Sequence, residues 1–285
     1  MCTEKDICAG IVTYHPDLCL LKENLDMLSP QVTKMFVVDN GSSDVEGIQE
    51  LLQSYPETEF VSNGENLGIA KALNQLCALA QQDGFQWILT MDQDSICQEN
   101  MVSLLSAFSD NKRYGIIAPR VEFWDGDRLI VSTPNGEKDI VEIAACITSG
   151  SLTRISAWKE VGGFDEWFFV DRVDNEFCTH LHVAGYDILR VNSAILHQRA
   201  GDMKYISLPF LGNILLPYYN EDRNYYICRN TVYYLRKYHR HIDLTHQVLA
   251  FIYSQLIKII FESHRIGTIR SMCKGLTAGM RKQIA

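Results

Sequence analysis

Asp92-Gln93-Asp94-Ser95 places two carboxylates one residue apart at the end of the apolar run Trp87-Ile88-Leu89-Thr90-Met91. Alternate side chains on a strand share a face, so a short extension past this run can aim both acids at one hard cation such as Mg²⁺ or Mn²⁺. A cation held there would neutralise a diphosphate that departs during group transfer, the chemistry of a nucleotide-dependent enzyme. The pair alone is a weak signal, because D-x-D also occurs as a solvated turn. The elements around it decide.

Those elements alternate between strand and helix. Ile7 to Thr13 is a continuous apolar run, Asp17 to Leu28 has helical spacing, and Lys34 to Asp39 is a second buried strand ending in Asn40-Gly41-Ser42-Ser43-Asp44. Glu59 to Ser62 reads as a strand, Asn63-Gly64 as a turn, Leu67 to Ala80 as an amphipathic helix, and Gln86 to Met91 as the strand that delivers the acids. Repeated strand-helix units with short links predict a parallel sheet wrapped by helices, an α/β fold whose ligands bind at the carboxyl ends of the strands. Thr13-Tyr14-His15-Pro16, Asp39-Asn40, Asn66 and the Asp92/Asp94 pair all fall at such ends. Taken singly, Asp39 is also a turn former, Asn66 a helix cap and Tyr14 a half-buried aromatic. Together they supply what a nucleotide site needs: an acid for base or ribose, an aromatic or backbone edge, and metal-binding acids.

Length and composition set the outer bounds. The 285 residues suffice for one large domain, or for a domain with a helical appendage. Nine cysteines without C-x-x-C spacing argue against a disulfide framework or a zinc ribbon, and read as reduced cytoplasmic thiols, mostly in the core. The start, Met1-Cys2-Thr3-Glu4-Lys5-Asp6, lacks the basic and then apolar stretches of an export signal. No segment has the roughly 20 uninterrupted apolar residues of a membrane span. The net charge of −9 is unevenly distributed: residues 1–198 carry 13 Lys+Arg against 30 Asp+Glu, a balance of −17, and residues 199–285 carry 13 against 5, a balance of +8. The acidic body argues against nucleic-acid binding, while the basic tail suits an anionic surface such as lipid headgroups.

Thr-Tyr-His-Pro, Val-Val-Asp-Asn-Gly-Ser, Glu-Asn-Leu-Gly-Ile-Ala and Asp-Gln-Asp-Ser, in this order, resemble the family 2 glycosyltransferases, most of all bacterial rhamnosyltransferases. The resemblance runs on through Gly162-Gly163-Phe164-Asp165-Glu166 and Phe168 to Cys178 as far as Leu196-His197-Gln198-Arg199-Ala200-Gly201-Asp202, with a weaker match at Arg229-Asn230 and Arg236-Lys237-Tyr238. It implies a GT-A fold over residues 1–202, with 1–95 as the nucleotide-sugar half and 96–202 as the acceptor half. Residues 203–285 would form a basic helical extension. It further implies inverting transfer from a nucleotide-diphosphate sugar, dTDP-L-rhamnose above all, to a glycan or lipid-linked saccharide in bacterial surface polysaccharide synthesis.

The same resemblance implies roles. Thr13, Tyr14, Asp39, Asn66, Lys71, Asp92 and Gln93 would bind the donor, with Asp39 at the base and Asp92 at the ribose or a metal water. Asp94, Asp92 and His197 would hold Mg²⁺ or Mn²⁺, although a histidine ending the strand Ala194-Ile195-Leu196 also reads as a core residue. Direct displacement needs one carboxylate to take the acceptor hydroxyl's proton, and Asp174, just before a helix with Phe177, Leu181 and Ala184 on one face, matches that base. Asp171 and Glu176 are rivals, and acids near a helix start also serve the dipole. Ser149, Gly150, Trp167, Asp171 and Glu176 would shape the acceptor side. Departures from the family pattern are His180 where an arginine is usual and Leu76 where a glycine is usual. Asp125-Gly126-Asp127, beside hairpin strands Leu129 to Ser132 and Ile140 to Ala145, reads as turn chemistry.

Other classes fit less well. A nucleotidyltransferase would carry a Gly-rich basic loop after the first strand, where Thr13-Tyr14-His15-Pro16-Asp17 stands, and an inactive sugar-binding module would have lost the acids. Another UDP- or dTDP-sugar is the alternative donor. From Gln247 to Arg265, helical phasing gathers Gln247, Ser254, Gln255, Lys258, Glu262 and Arg265 on one side, with Val248, Leu249, Ile252, Leu256, Ile259 and Ile260 on the other. With Arg270, Lys274, Arg281 and Lys282 following, this predicts peripheral docking on the cytoplasmic membrane face. A core helix packed on the catalytic domain is the competing reading.

Overall fold

The computed structural model describes residues 6–126, 128–132, 138–201, 203–208, 212–217, 221–261 and 264–284. Two compact units emerge: one runs to Glu166 and resumes over Val173–Arg199, and the other joins Trp167–Arg172 to Ala200 and beyond. The segment 167–172 therefore belongs with the C-terminal unit, although the sequence places it inside the catalytic domain.

In the first unit, β1 (Ile7–Thr13), α1 (Leu18–Leu28), β2 (Met35–Asp39), α2 (Val45–Leu52), β3 (Thr58–Ser62), α3 (Ile69–Gln82) and β4 (Trp87–Asp92) follow one another. The four strands are parallel in the order β3-β2-β1-β4. Every residue of β1 and β2 is buried, as a parallel strand covered on both faces requires. Asp17 caps α1 by accepting from the Cys19 and Leu20 amides, and Leu21, Leu25 and Leu28 then bury at helical spacing. In α3 the buried set is Ala70, Ala72, Leu73, Leu76, Cys77 and Ala80. Leu76 is core: a Cβ on Gly10 of β1 would lie 3.0 Å from its Cδ1, so the missing side chain in the strand makes room for the extra one in the helix.

The chain continues through β5 (Ile96–Cys97), α4 (Met101–Ser106), β6 (Tyr114–Asp125), β7 (Arg128–Ser132), β8 (Ile140–Glu142), β9 (Ser151–Arg154), α5 (Ile155–Glu160), α6 (Val173–Val183) and β10 (Asp187–Arg199). The sheet extends as β4-β9-β6-β10-β5, with β9 antiparallel to both neighbours and β6 parallel to β10. The expected hairpin does not form. β7 folds back on β6 through a turn with Gly126 at φ +56°, and β8 pairs with β10. Asp127 lies outside the described residues. β10 carries a register shift between Val191 and Ile195. Before it Leu189 and Val191 enter the core; after it Ala194 and Leu196 do, so the parity of the strand is reversed.

The C-terminal unit contains a two-stranded sheet, β11 (Met203–Leu208) with β12 (Gly212–Pro217), followed by α7 (Glu221–Tyr238), α8 (Leu244–Phe261) and α9 (Arg265–Arg281). Asp202 and Glu262 lie outside the described residues. Among the described residues α8 alone is long and apolar enough to cross a membrane by length and composition, in contrast to the expectation that no segment is. Its amphipathicity is inverted. Gln247, Gln255 and Lys258 turn to Arg172, Cys228 and Asn224 of the same unit, while Leu249, Ile252, Tyr253, Leu256 and Ile260 stay 48–67% exposed. Of the nine cysteines, Cys8, Cys77, Cys97, Cys178 and Cys228 are buried, and none of the described ones forms a disulfide.

Candidate active site

The strand ends come together in register, Thr13 beside Asp39, Asp39 beside Ser62, and Val12 beside Asp92. At the end of β4 the D-x-D turn is braced from below. Asn24 of α1 donates to the Asp92 carbonyl at 2.7 Å, and the Asp92 amide donates to Ser149 Oγ at 3.0 Å. Buried Ser95 lies 2.8 Å from Ser149 Oγ and donates to Gln198 Oε1 at 2.5 Å, and Gln198 Nε2 donates to Asp92 Oδ2 at 3.1 Å. These contacts close a ring that orients one carboxylate of the pair. Spacing and periodicity single out neither Ser95 nor Gln198. The signal for Gln198 is the β10 register shift, which a linear pattern does not display.

Asp92, Asp94 and Asp174 are half-buried. Burial, then the charge of Asp94, and more weakly that of Asp174, push the Asp92 carboxyl up to about 6, against the lowering effect of the Gln198 hydrogen bond. Burial also raises Asp94, against the lowering effects of its own backbone and of Arg199. Three acids from β4, its following turn and α6 thus share one field. Their oxygens suit a hard cation, and no group of three His, Cys, Asp or Glu gathers as a metal cage among the described residues. Two carboxylates without a cage fit Mg²⁺ or Mn²⁺, which is completed by water and substrate phosphate.

His197 is not part of that set. Its Nδ1 lies 3.5 Å from Glu122 Oε2 and its ring meets Trp124 edge-on, on the face of β10 opposite Gln198. The expected metal histidine is displaced by the register shift, which hands the inward position to Gln198.

Several other expected contacts have different work here. Asp39 is fully buried, and its two oxygens accept from Thr13 Oγ1 at 3.0 Å, Ser42 Oγ, the Gly41 amide at 3.2 Å and the Ser42 amide at 3.0 Å. All four lone-pair positions are used, so Asp39 and Thr13 organise the loop rather than present an acceptor to a base. Asn66 Oδ1 accepts from Asn40 Nδ2 and the Gly68 amide, closing the turn before α3. Gln93 pairs with both main-chain groups of Tyr14, at 2.8 and 3.2 Å, leaving the Tyr14 ring 46% exposed above the loop. Lys71 pairs with Glu166 at 3.0 Å on the surface.

The acceptor-side set is also redistributed. Ser149 is buried under Asp92, and Gly150, at φ +74°, donates to the Thr90 carbonyl beside it. Glu176 is buried inside α6. Trp167 and Asp171 belong to the C-terminal unit, where Arg229 lies 4.4 Å over the Trp167 ring and Arg223 grips the Asp171 carboxylate with contacts of 3.1–3.3 Å. Asp174 remains: its Oδ1 accepts from the Asn175 amide at 2.9 Å in the first turn of α6, and its charge reaches Asp92.

Residues 9–149 match the family described as glycosyl transferase family 2. Over 97% of its length the chain is 28% identical to a dTDP-rhamnosyl transferase, RfbF, of Shigella flexneri, covering 98% of that protein. It is also 28% identical to an N-acetylglucosaminyl-diphospho-decaprenol L-rhamnosyltransferase of Mycobacterium tuberculosis, over 66% of this chain and 75% of that one. Among solved structures, S. aureus TarS 1–349 in complex with UDP-GlcNAc superposes with a TM-score of 0.66 at 13% identity, over 95% of this chain and 81% of that chain. GalNAc-T7 with UDP, GalNAc and Mn²⁺ gives 0.63 at 12% identity, over 97% of this chain and 56% of that one. The fold is therefore the α/β architecture of GT-A structures, with a helical C-terminal region.

Proposed function

We propose, for a chain whose family 2 domain makes it a glycosyltransferase, that it moves L-rhamnose from dTDP-L-rhamnose to a saccharide acceptor carried on a lipid diphosphate or a glycan, with inversion at the anomeric carbon. The observation that carries the chemistry is the shared field of Asp92, Asp94 and Asp174. The rhamnosyl and lipid-linked assignments come from the two named relatives, and another UDP- or dTDP-sugar is the second reading. Surface polysaccharide synthesis, such as O-antigen or capsule assembly, is the setting that suits such an acceptor.

Asp174 takes the proton of the acceptor hydroxyl as its oxygen bonds to the anomeric carbon, and the bond from that carbon to the diphosphate oxygen breaks. Asp92 and Asp94 would hold Mg²⁺ or Mn²⁺, whose charge stabilises the departing diphosphate without a protein acid. Gln198, Ser95 and Ser149 keep Asp92 in place, and the exposed Tyr14 ring offers an aromatic edge to the nucleotide. A panel of nucleotide sugars incubated with Mn²⁺ and acceptor tests this. Consumption of dTDP-L-rhamnose ahead of the UDP-sugars is expected, lost in excess EDTA and in Asp94→Ala with the fold intact. Full turnover in EDTA would sink the metal reading, and preference for a UDP-sugar the rhamnosyl one.

The C-terminal unit is proposed to attach peripherally to the cytoplasmic face of the membrane. The outward apolar side of α8 supports this over a core helix, because Leu249, Ile252, Tyr253, Leu256 and Ile260 stay exposed, while the polar stripe favours lying in the interface over spanning it.

A further inference from the structure

We infer that the groove between α7 and α9 binds the phosphate of an anionic glycerophospholipid in a bilayer, a reading that rests on the peripheral attachment proposed above. α9 buries Thr268, Met272, Gly275 and Gly279. A Cβ on Gly275 would collide with the Tyr225 carbonyl of α7, and one on Gly279 with the Arg229 carbonyl, so the two helix backbones touch at these glycines. Longer side chains beside this seam stand up as walls. Tyr225 from α7 and Arg270, Lys274, Thr277 and Arg281 from α9 line a groove of about 560 Å³. Its lining contains no carboxylate, and among the described residues none of the three cations is in an ion pair.

Arg270 and Lys274 stand one turn apart and repel each other, an arrangement that an anion between them relieves. A phosphodiester fits: its oxygens accept bidentately from guanidinium and singly from ammonium, and the Thr277 hydroxyl adds a donor. The neighbouring surface points to lipid over a soluble phosphate. Ile266, Ile269, Leu276 and Met280 are 87, 41, 36 and 62% exposed. At about 100° per residue they fill a sector of about 80° that borders the cationic stripe, with Thr277 between the two. Such a helix sets apolar side chains at the acyl boundary and cations at the phosphates.

Flotation of the full-length protein with phosphatidylcholine vesicles, and with vesicles containing phosphatidylglycerol, tests the assignment at low salt. Wild type should prefer the anionic vesicles by about 10²-fold. The variant Arg270→Gln/Lys274→Gln/Arg281→Gln should bind both kinds alike, and should any one preparation misfold, Lys274→Gln alone should lose about fivefold of the preference. A Leu249→Gln/Leu256→Gln control should weaken binding to both vesicle types by a similar factor. A triple variant that keeps the charge preference overturns the groove and leaves membrane attachment standing. Wild type that ignores both vesicles rejects attachment and groove together. Displacement from anionic vesicles by millimolar inorganic phosphate, beyond that by chloride at equal ionic strength, would reassign the groove to free phosphate.

Discussion

Gln198 holds Asp92 at 3.1 Å with its amide nitrogen while its amide oxygen accepts from buried Ser95 at 2.5 Å, so one side chain couples β10 to the acid that ends β4. The amide cannot rotate without breaking both bonds. It fixes the Asp92 carboxylate and favours its ionised form. Replacing it with leucine keeps the bulk, removes the acceptor that Ser95 uses on β10 and lets the Asp92 pKa climb above about 6. Metal-dependent donor binding in Gln198→Leu should weaken about tenfold at pH 7, with its acidic limb moved upward. Isothermal titration across pH reads both quantities, and an unmoved limb would show that Gln198 does not poise Asp92.

The acidic limb has a sign. The Asp92 carboxyl is raised from 3.8 to about 6 in the folded protein, so it is protonated below about 6 and a cation must displace that proton. Metal affinity is expected to fall about tenfold per pH unit below 6. In the metal-free protein the contribution of this group to stability is complete below the unfolded value and is lost as pH rises through about 6. Metal-free Asp92→Asn should therefore melt higher than wild type at pH 7.5, and the gap should close toward pH 4. A gap that widens on acidification would contradict the raised pKa.

Three acids near the start of α6 can be separated by charge-neutral exchange. Asp174→Asn preserves shape and cannot take a proton, so transfer should drop about 10²-fold or more with donor affinity nearly unchanged. Asp171→Asn removes the ion pair with Arg223 and should cost stability while turnover stays within a few-fold. Glu176→Gln removes a buried charge and should likewise leave turnover within a few-fold. Single-turnover kinetics with donor in excess distinguishes them. An active Asp174→Asn beside a crippled Asp171→Asn or Glu176→Gln assigns the base elsewhere.

Asp171 and Arg172 are both left-handed, with φ +63° and +65°, and each such non-glycine residue costs about 1–2 kcal/mol. Asn230 Nδ2 holds the turn by donating to the Val170 carbonyl at 2.6 Å and the Asp171 carbonyl at 3.0 Å. Asn230→Ala should destabilise the C-terminal unit by about 2 kcal/mol, a loss that Arg172→Gly should partly restore, because glycine accepts positive φ, and Arg172→Ala should not. Thermal denaturation of the two double variants makes the comparison. Equal rescue by alanine and glycine would show that strain at Arg172 is not what Asn230 holds.

Much of this protein is determined by local pattern. The run Ile7 to Thr13 is β1 to the residue, the acids stand at the end of β4 as alternation and strand length require, and the 3.6-residue spacing read over Leu67 to Ala80 marks the buried face of α3, which runs two residues later at each end. These features depend on neighbours close in sequence, so periodicity reveals them. What lies opposite an acid depends on distant segments. A single register shift between Val191 and Ile195 decides that Gln198, and not His197, reaches Asp92, because moving a strand by one residue exchanges its faces. Asp39 reads as available in the sequence, whereas three of its four donors come from Gly41 and Ser42 just after it and the fourth, Thr13 Oγ1, reaches it only across the packed sheet. On α8 the sequence determined two faces of opposite character. Only the tertiary structure decided that the polar one turns inward to Asn224 and Cys228 and the apolar one outward, since helical phasing separates faces without saying which of them finds a partner.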